Sequence, residues 1–176
     1  MASTYTLIQK IIVTSDQANI SFATIPATYT DLVLKVSGQT AAGGTRDDMQ
    51  ITFNNDTNAN YATRRVFNSD GGTTLADQQS SGAPSSINLG ALTGTGATAN
   101  TFGVMEFYIG NYAQAIYKSV TCFWSAPNSS AGGYMYGKAY MVYQSNTAIS
   151  AIKLESKAAH NIKQYTTAYL YGISNA

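Results

Sequence analysis

Residues 102–110 read Phe-Gly-Val-Met-Glu-Phe-Tyr-Ile-Gly, "FGVMEFYIG". Met105, Phe107 and Ile109 fall on one side of an extended chain, with Glu106 and Tyr108 on the other. A helix would spread the first three around its circumference, whereas a strand puts every second residue on one face. The stretch therefore predicts a half-buried strand with Met105, Phe107 and Ile109 in the core.

The same period recurs in both directions along the chain. In "DLVLKVSG", Leu32, Leu34 and Val36 alternate with Val33, Lys35 and Ser37. "DDMQITFN" sets Met49, Ile51 and Phe53 against Asp48, Gln50 and Thr52. "YKSVTCFW" aligns Val120, Cys122 and Trp124, and "QYTTAYLYGI" aligns Tyr165, Thr167, Tyr169, Tyr171 and Ile173. Further strands are expected at 5–12, 19–24, 61–68, 85–89, 133–143 and 148–154. About ten strands result, separated by turn-forming segments such as "TAAGGT", "NSDGGTT" and "APNSSAGG". Many short strands with regular turns specify an all-β sandwich or barrel. No linker divides the chain, so residues 1–176 are read as a single domain. Residues 69–101 are the loosest part and are expected as a long surface excursion with one or two short edge strands.

Composition narrows the function. Charged residues make up 11% of the 176, against about 25% in an ordinary domain. The formal net charge is +1 and there is no basic run, which argues against nucleic-acid binding. No segment reaches the roughly 20 apolar residues of a membrane span. The start "MASTYTLIQKIIVTSD" lacks the charged and apolar regions of a signal peptide, so no export is expected.

Residues able to do chemistry are few. Cys122 is the only cysteine and His160 the only histidine, which rules out an intramolecular disulfide and a Cys/His metal cluster. Cys122 shares a strand face with Val120 and Trp124, as a buried small hydrophobe would. His160, in "KAAHNIK", is expected in a solvent-facing turn. Glu106 and Glu155 are the only glutamates, each among polar neighbours, so a pair of catalytic carboxylates is not expected. No catalytic residue, cofactor site or metal site is predicted. "NNDTNANY" (54–61) spaces oxygen ligands like a calcium loop, yet Ala59 stands where Gly is needed and Arg65 where a bidentate Glu is needed. Its simpler reading is a hairpin connection built of Asx-turns; a weak site could recruit Asp47 or Asp48 from the neighbouring segment, but nothing requires it.

Thirteen tyrosines are many for this length. Tyr134, Tyr136 and Tyr140 share one strand and Tyr165, Tyr169 and Tyr171 another, and would make cross-strand pairs if those strands are neighbours. One reading is a half-buried tyrosine face. A second is a partner-contact surface, since Tyr and Arg are enriched at interfaces; its candidates are Tyr134, Tyr136, Tyr140, Arg64 and Arg65. A glycan platform is the third.

Four stretches, "MASTYTLI" (1–8), "ISFATIPATYTDLVLKVSG" (20–38), "ANTFGVMEFYIGNY" (99–112) and the ending "TAISAIKLES…TTAYLYGISNA", resemble a family of small virion structural proteins encoded by tailed bacteriophages. Order and spacing are similar too, over most of the chain. Thr24 stands before Ile25-Pro26 where the family has Ser, and "AYLYGI" replaces a terminal "FYLYGI". Residues 113–144 depart most. The resemblance implies a jelly-roll-like antiparallel β-sandwich acting as a capsid decoration (cement) protein. It would sit on the outer head surface as a homotrimer, bridge major capsid proteins and need no cofactor. Two alternatives stay open: a tail fibre, spike or adaptor-associated protein touching host glycan, and a free carbohydrate-binding module.

Overall fold

The computed structural model describes residues 4–68, 74–79, 87–127 and 134–174, with the side chains of 74–79, 87, 88 and 134 outside that description. Twelve strands follow one another: β1 Tyr5–Ile12, β2 Asn19–Phe22, β3 Asp31–Thr40, β4 Arg46–Phe53, β5 Tyr61–Asn68, β6 Thr74–Gln79, β7 Ile87–Gly94, β8 Gly103–Ile109, β9 Lys118–Pro127, β10 Tyr134–Tyr143, β11 Ile152–Ser156 and β12 Thr167–Ile173. No helix among the described residues is long and apolar enough to cross a membrane.

The strands form two sheets. The larger runs β1-β12-β3-β8-β9-β10-β5-β6, every neighbouring pair antiparallel. The smaller runs β2-β11-β4-β7, also antiparallel. They join where Gln39 and Thr40 of β3 run parallel to Thr93 and Gly94 of β7. β7 also packs face to face on β9, β10, β5 and β8. The whole is a jelly-roll-like β-sandwich in one domain, the class that the alternation predicts.

The core forms between the two inner faces from the residues that the alternation singles out. Leu32, Leu34 and Val36 of β3, Met49, Ile51 and Phe53 of β4, Met105, Phe107 and Ile109 of β8, and Val120, Cys122 and Trp124 of β9 are all buried in one cluster. On β12 the inner positions are Ala168 and Leu170, so Tyr169 and Tyr171 lie on the outer face, half-buried. Tyr165 lies before the strand and is exposed, with φ 71°.

Two expectations need correction, and one condition is not met. Residues 69–101 are not wholly a surface excursion: β6 is indeed an edge strand, but β7 lies between β4 and β3, with Leu89, Ala91, Leu92 and Thr93 fully buried. β7 reads poorly as a strand because Gly90 interrupts it. A Cβ there would lie 2.4 Å from the Trp124 ring, so Gly lets β7 approach β9 across the core. The connection 54–60 is not a hairpin, since it carries the chain from β4 in the small sheet to β5 in the large one. And the tyrosine-bearing β10 and β12 are not neighbours, being separated by β3, β8 and β9. The turn segments "NSDGGTT" and "APNSSAGG" lie largely outside the described residues.

Candidate functional site

The turn chemistry of "NNDTNANY" holds in detail. Asn54 and Asn55 take left-handed φ of 53° and 55°, which Asn tolerates better than most residues. Asp56 Oδ1 accepts from the Asn58 backbone N–H at 2.9 Å and from Asn58 Nδ2 at 2.8 Å. Asp56 Oδ2 accepts from Asn60 Nδ2 at 2.7 Å and from the Tyr143 hydroxyl at 2.9 Å. Burial pushes the Asp56 carboxyl up, but these bonds from Asn60, Asn58 and Tyr143 outweigh it and leave the group below its ordinary range. Tyr143 stacks on Tyr61 at 5.0 Å, and Phe53 lies 5.3 Å from Tyr143. The carboxylate thus closes one end of the sandwich.

Asp47 and Asp48 lie toward the other end of β4, eight residues long at about 3.4 Å per residue. Asp47 faces His160 Nδ1 at 3.2 Å and Asp48 faces Arg65 at 3.8 Å. Cys122 is buried in the core, where burial first and then the Glu106 charge push its thiol well up. The structure therefore does not bring Cys122 and His160 together. Glu106 pairs with Lys35 at 3.1 Å on the large sheet, and Glu155 with Lys153 at 3.0 Å on the small one.

The surface with most binding character is the outer face of the large sheet. Strand pairing sets its side chains in rows. One row runs Lys10, Tyr169, Lys35, Glu106, Phe123, Lys138 and Val66. The next runs Leu7, Tyr171, Val33, Tyr108, Thr121, Tyr140 and Arg64. Val104, Tyr108, Phe123, Tyr136, Tyr140 and Val142 are each between 40% and 51% exposed. On β8, β9 and β10 large apolar side chains thus stand outside as well as inside, interspersed on the outer face with Glu106, Thr121 and Lys138, where a fully solvated face would be polar throughout.

The charges on this face are mostly tied down. Lys35 and Glu106 neutralise one another, and Lys138 Nζ lies 4.8 Å from the centre of the Phe123 ring. Tyr108 donates to Asp31 Oδ2 at 2.7 Å, while Asp31 Oδ1 accepts from the Asn111 N–H at 2.7 Å. That bond first, and burial second, push the Tyr108 phenol up to about 12. Two shallow hollows flank Phe123. One of about 510 Å³ is lined by Val104, Glu106, Lys35, Ser37, Thr167 and Tyr169, among others. The second, of about 340 Å³, is lined by Val66, Asn68, Tyr136 and Lys138, among others.

Of the five candidate contact residues, the structure gathers three. Tyr136, Tyr140 and Arg64 are exposed together, Arg64 directly opposite Tyr140 in the β5–β10 register. Arg65 is a correction: one residue on, it points inward, is 9% exposed, and lays its guanidinium 4.9 Å from the centre of the Phe67 ring. The Tyr134 side chain lies outside the described residues. Sequence reasoning did not single out Phe123, although its place between the inward Cys122 and Trp124 is the signal that turns it outward.

No family model matches this chain, and no curated protein matches it either. Among solved structures it is similar to the galectin LEC-6 of Caenorhabditis elegans, at 12% identity over 94% of this chain and 96% of that one, with a TM-score of 0.37. A likeness of that degree speaks to neither ligand nor activity.

Proposed function

We propose that the protein is a non-enzymatic structural component of a tailed-phage virion, a decoration protein that lies against the major capsid protein through the outer face of its large sheet. The carrying observation is that face itself: Val104, Tyr108, Phe123, Tyr136, Tyr140 and Val142 stand half-exposed on three adjacent strands. An aromatic and aliphatic surface on which Lys35 and Glu106 neutralise one another resembles the core of a protein interface. The virion setting draws its support from the four sequence stretches, above all "ISFATIPATYTDLVLKVSG". A domain that binds only the assembled shell stabilises that shell by mass action, and such a role calls for binding area and rigidity.

Copy number tests this reading. Quantitative mass spectrometry of purified particles, scaled to the major capsid protein, is expected to give hundreds of copies. A dozen or fewer would transfer the protein to the tail, and its absence from particles would overturn the virion assignment.

The hollows beside Phe123 favour a second reading, contact with a host glycan by a tail-associated protein or by a free carbohydrate-binding module. A sugar ring can stack on an exposed aromatic while Glu106, Lys35 and Asn68 serve its hydroxyls. Glycan-array binding by the purified chain, lost in Phe123→Ala, would put this reading first.

A further inference from the structure

Among the described residues, β1 is the outermost strand of the large sheet, hydrogen-bonded on one side to β12. It is long for an edge and nearly uncharged: in "YTLIQKII" the only charge is Lys10. Leu7 and Ile12 are exposed on its outer face, and Ile8 and Ile11 are only partly covered by the core. Proteins usually blunt such an edge with charges, shortness or a bulge. β1 has the bulge, between Leu7 and Gln9.

The backbone directions follow from two anchors. Ser174 N–H donates to the Thr4 carbonyl and Val13 N–H to the Thr166 carbonyl. Antiparallel alternation from each anchor, with the register shift between them, turns Thr6, Gln9 and Ile11 toward β12. Leu7, Lys10 and Ile12 turn their N–H and C=O groups outward. The outward positions are therefore spaced irregularly, and a foreign straight strand would fall out of step with them. A second copy would not, because positions 7 and 10, and 5 and 12, are symmetric about the bulge.

We propose that two copies of this chain pair β1 against β1, antiparallel, about a two-fold axis passing between Ile8 and Gln9. Bulge then faces bulge. Leu7 stands opposite Lys10 of the partner subunit and Tyr5 opposite Ile12 of the partner subunit, each pair on the outer face. Ile11 meets Thr6 of the partner subunit on the inner face, and no lysine faces a lysine. The two large sheets become one continuous sheet with no open β1 edge. This inference does not rest on the outer face being a docking surface, and it requires two-fold symmetry where the phage-family resemblance implies a trimer.

The test is the mass of the full chain in solution by light scattering, from micromolar to submillimolar concentration. The expected mass is twice 18.7 kDa. Leu7→Lys places a lysine against each Lys10 and is expected to abolish the dimer while keeping the β-type far-ultraviolet spectrum. Leu7→Glu places an opposite charge there and is expected to keep the dimer. A monomer at every concentration, a threefold mass, or a dimer indifferent to Leu7→Lys would overturn the proposal. Loss of the dimer in both variants alike would overturn this register. Copy number on particles is read separately, so failure here leaves the virion reading standing.

Discussion

Asp56 shows how a single carboxylate can look like a ligand and act as a fastener. Its four donors come from Asn58, Asn60 and Tyr143, so Asp56→Ala leaves several polar groups without an acceptor. A loss of about 1–3 kcal/mol is expected in urea denaturation, and millimolar calcium is expected to leave the melting temperature of the wild type unchanged. The folded-state pKa of Asp56 lies below its ordinary value of 3.8. Its stabilisation is therefore fully present above pH 3.8 and lost as pH falls through the folded value, so the acid side of the stability profile should flatten in Asp56→Asn. Tyr108 and Tyr143 work at the opposite end of the scale. The Asp31 bond holds the first, and burial the second, up to about 12 against an ordinary 10. The unfolded chain ionises them first, so the stability they supply is intact below pH 10 and lost as pH rises from 10 through 12. Tyrosinate absorbance followed alongside circular dichroism should show unfolding accompanying the late ionisation, and free titration near pH 10 with the fold intact would contradict it.

At the scale of the element, β7 carries the junction between the sheets, and the sequence reading catches only its start: a strand is expected at 85–89, whereas β7 runs Ile87–Gly94. Leu89, Ala91 and Leu92 are all buried, so period two is absent, and Gly90 reads as a break. Its real partner, Trp124, lies 34 residues further along the chain, and no local pattern announces it. Gly90→Ala must displace that ring and is expected to destabilise the fold by about 1–3 kcal/mol as overpacking, measured by thermal unfolding. Strands with water on one side, such as β8 and β9, were legible from sequence because their two faces differ chemically. Which strands become neighbours was not legible. The separation of β10 from β12, and the crossing from β4 to β5 between sheets, depend on pairings between distant parts of the chain.

For the whole molecule, the two faces of the large sheet divide its labour, core within and exposed aromatics without. Phe107 is fully buried on β8, whereas Tyr140 is half-exposed on β10. Phe107→Ala should therefore cost about 3–5 kcal/mol and Tyr140→Ala no more than about 0.5 kcal/mol, while Tyr140→Ala weakens attachment to particles. Equal drops in melting temperature would make the tyrosine face part of the core. Part of this surface was legible in the sequence: Tyr136, Tyr140 and Arg64 stand exposed on the outer face, whereas Arg65 is turned inward, because adjacent arginines on a strand must face opposite ways and only the placement of the core decides which. The strand order also bears on how the chain is made. β12 inserts between β1 and β3 although it follows both by more than 125 residues along the chain. While the ribosome is still extending the chain, β1 has no neighbour to pair with and β3 keeps an open side. The large sheet can be completed only once residues 167–173 emerge, so a nascent chain stopped before them leaves β1 unpaired and one side of β3 open.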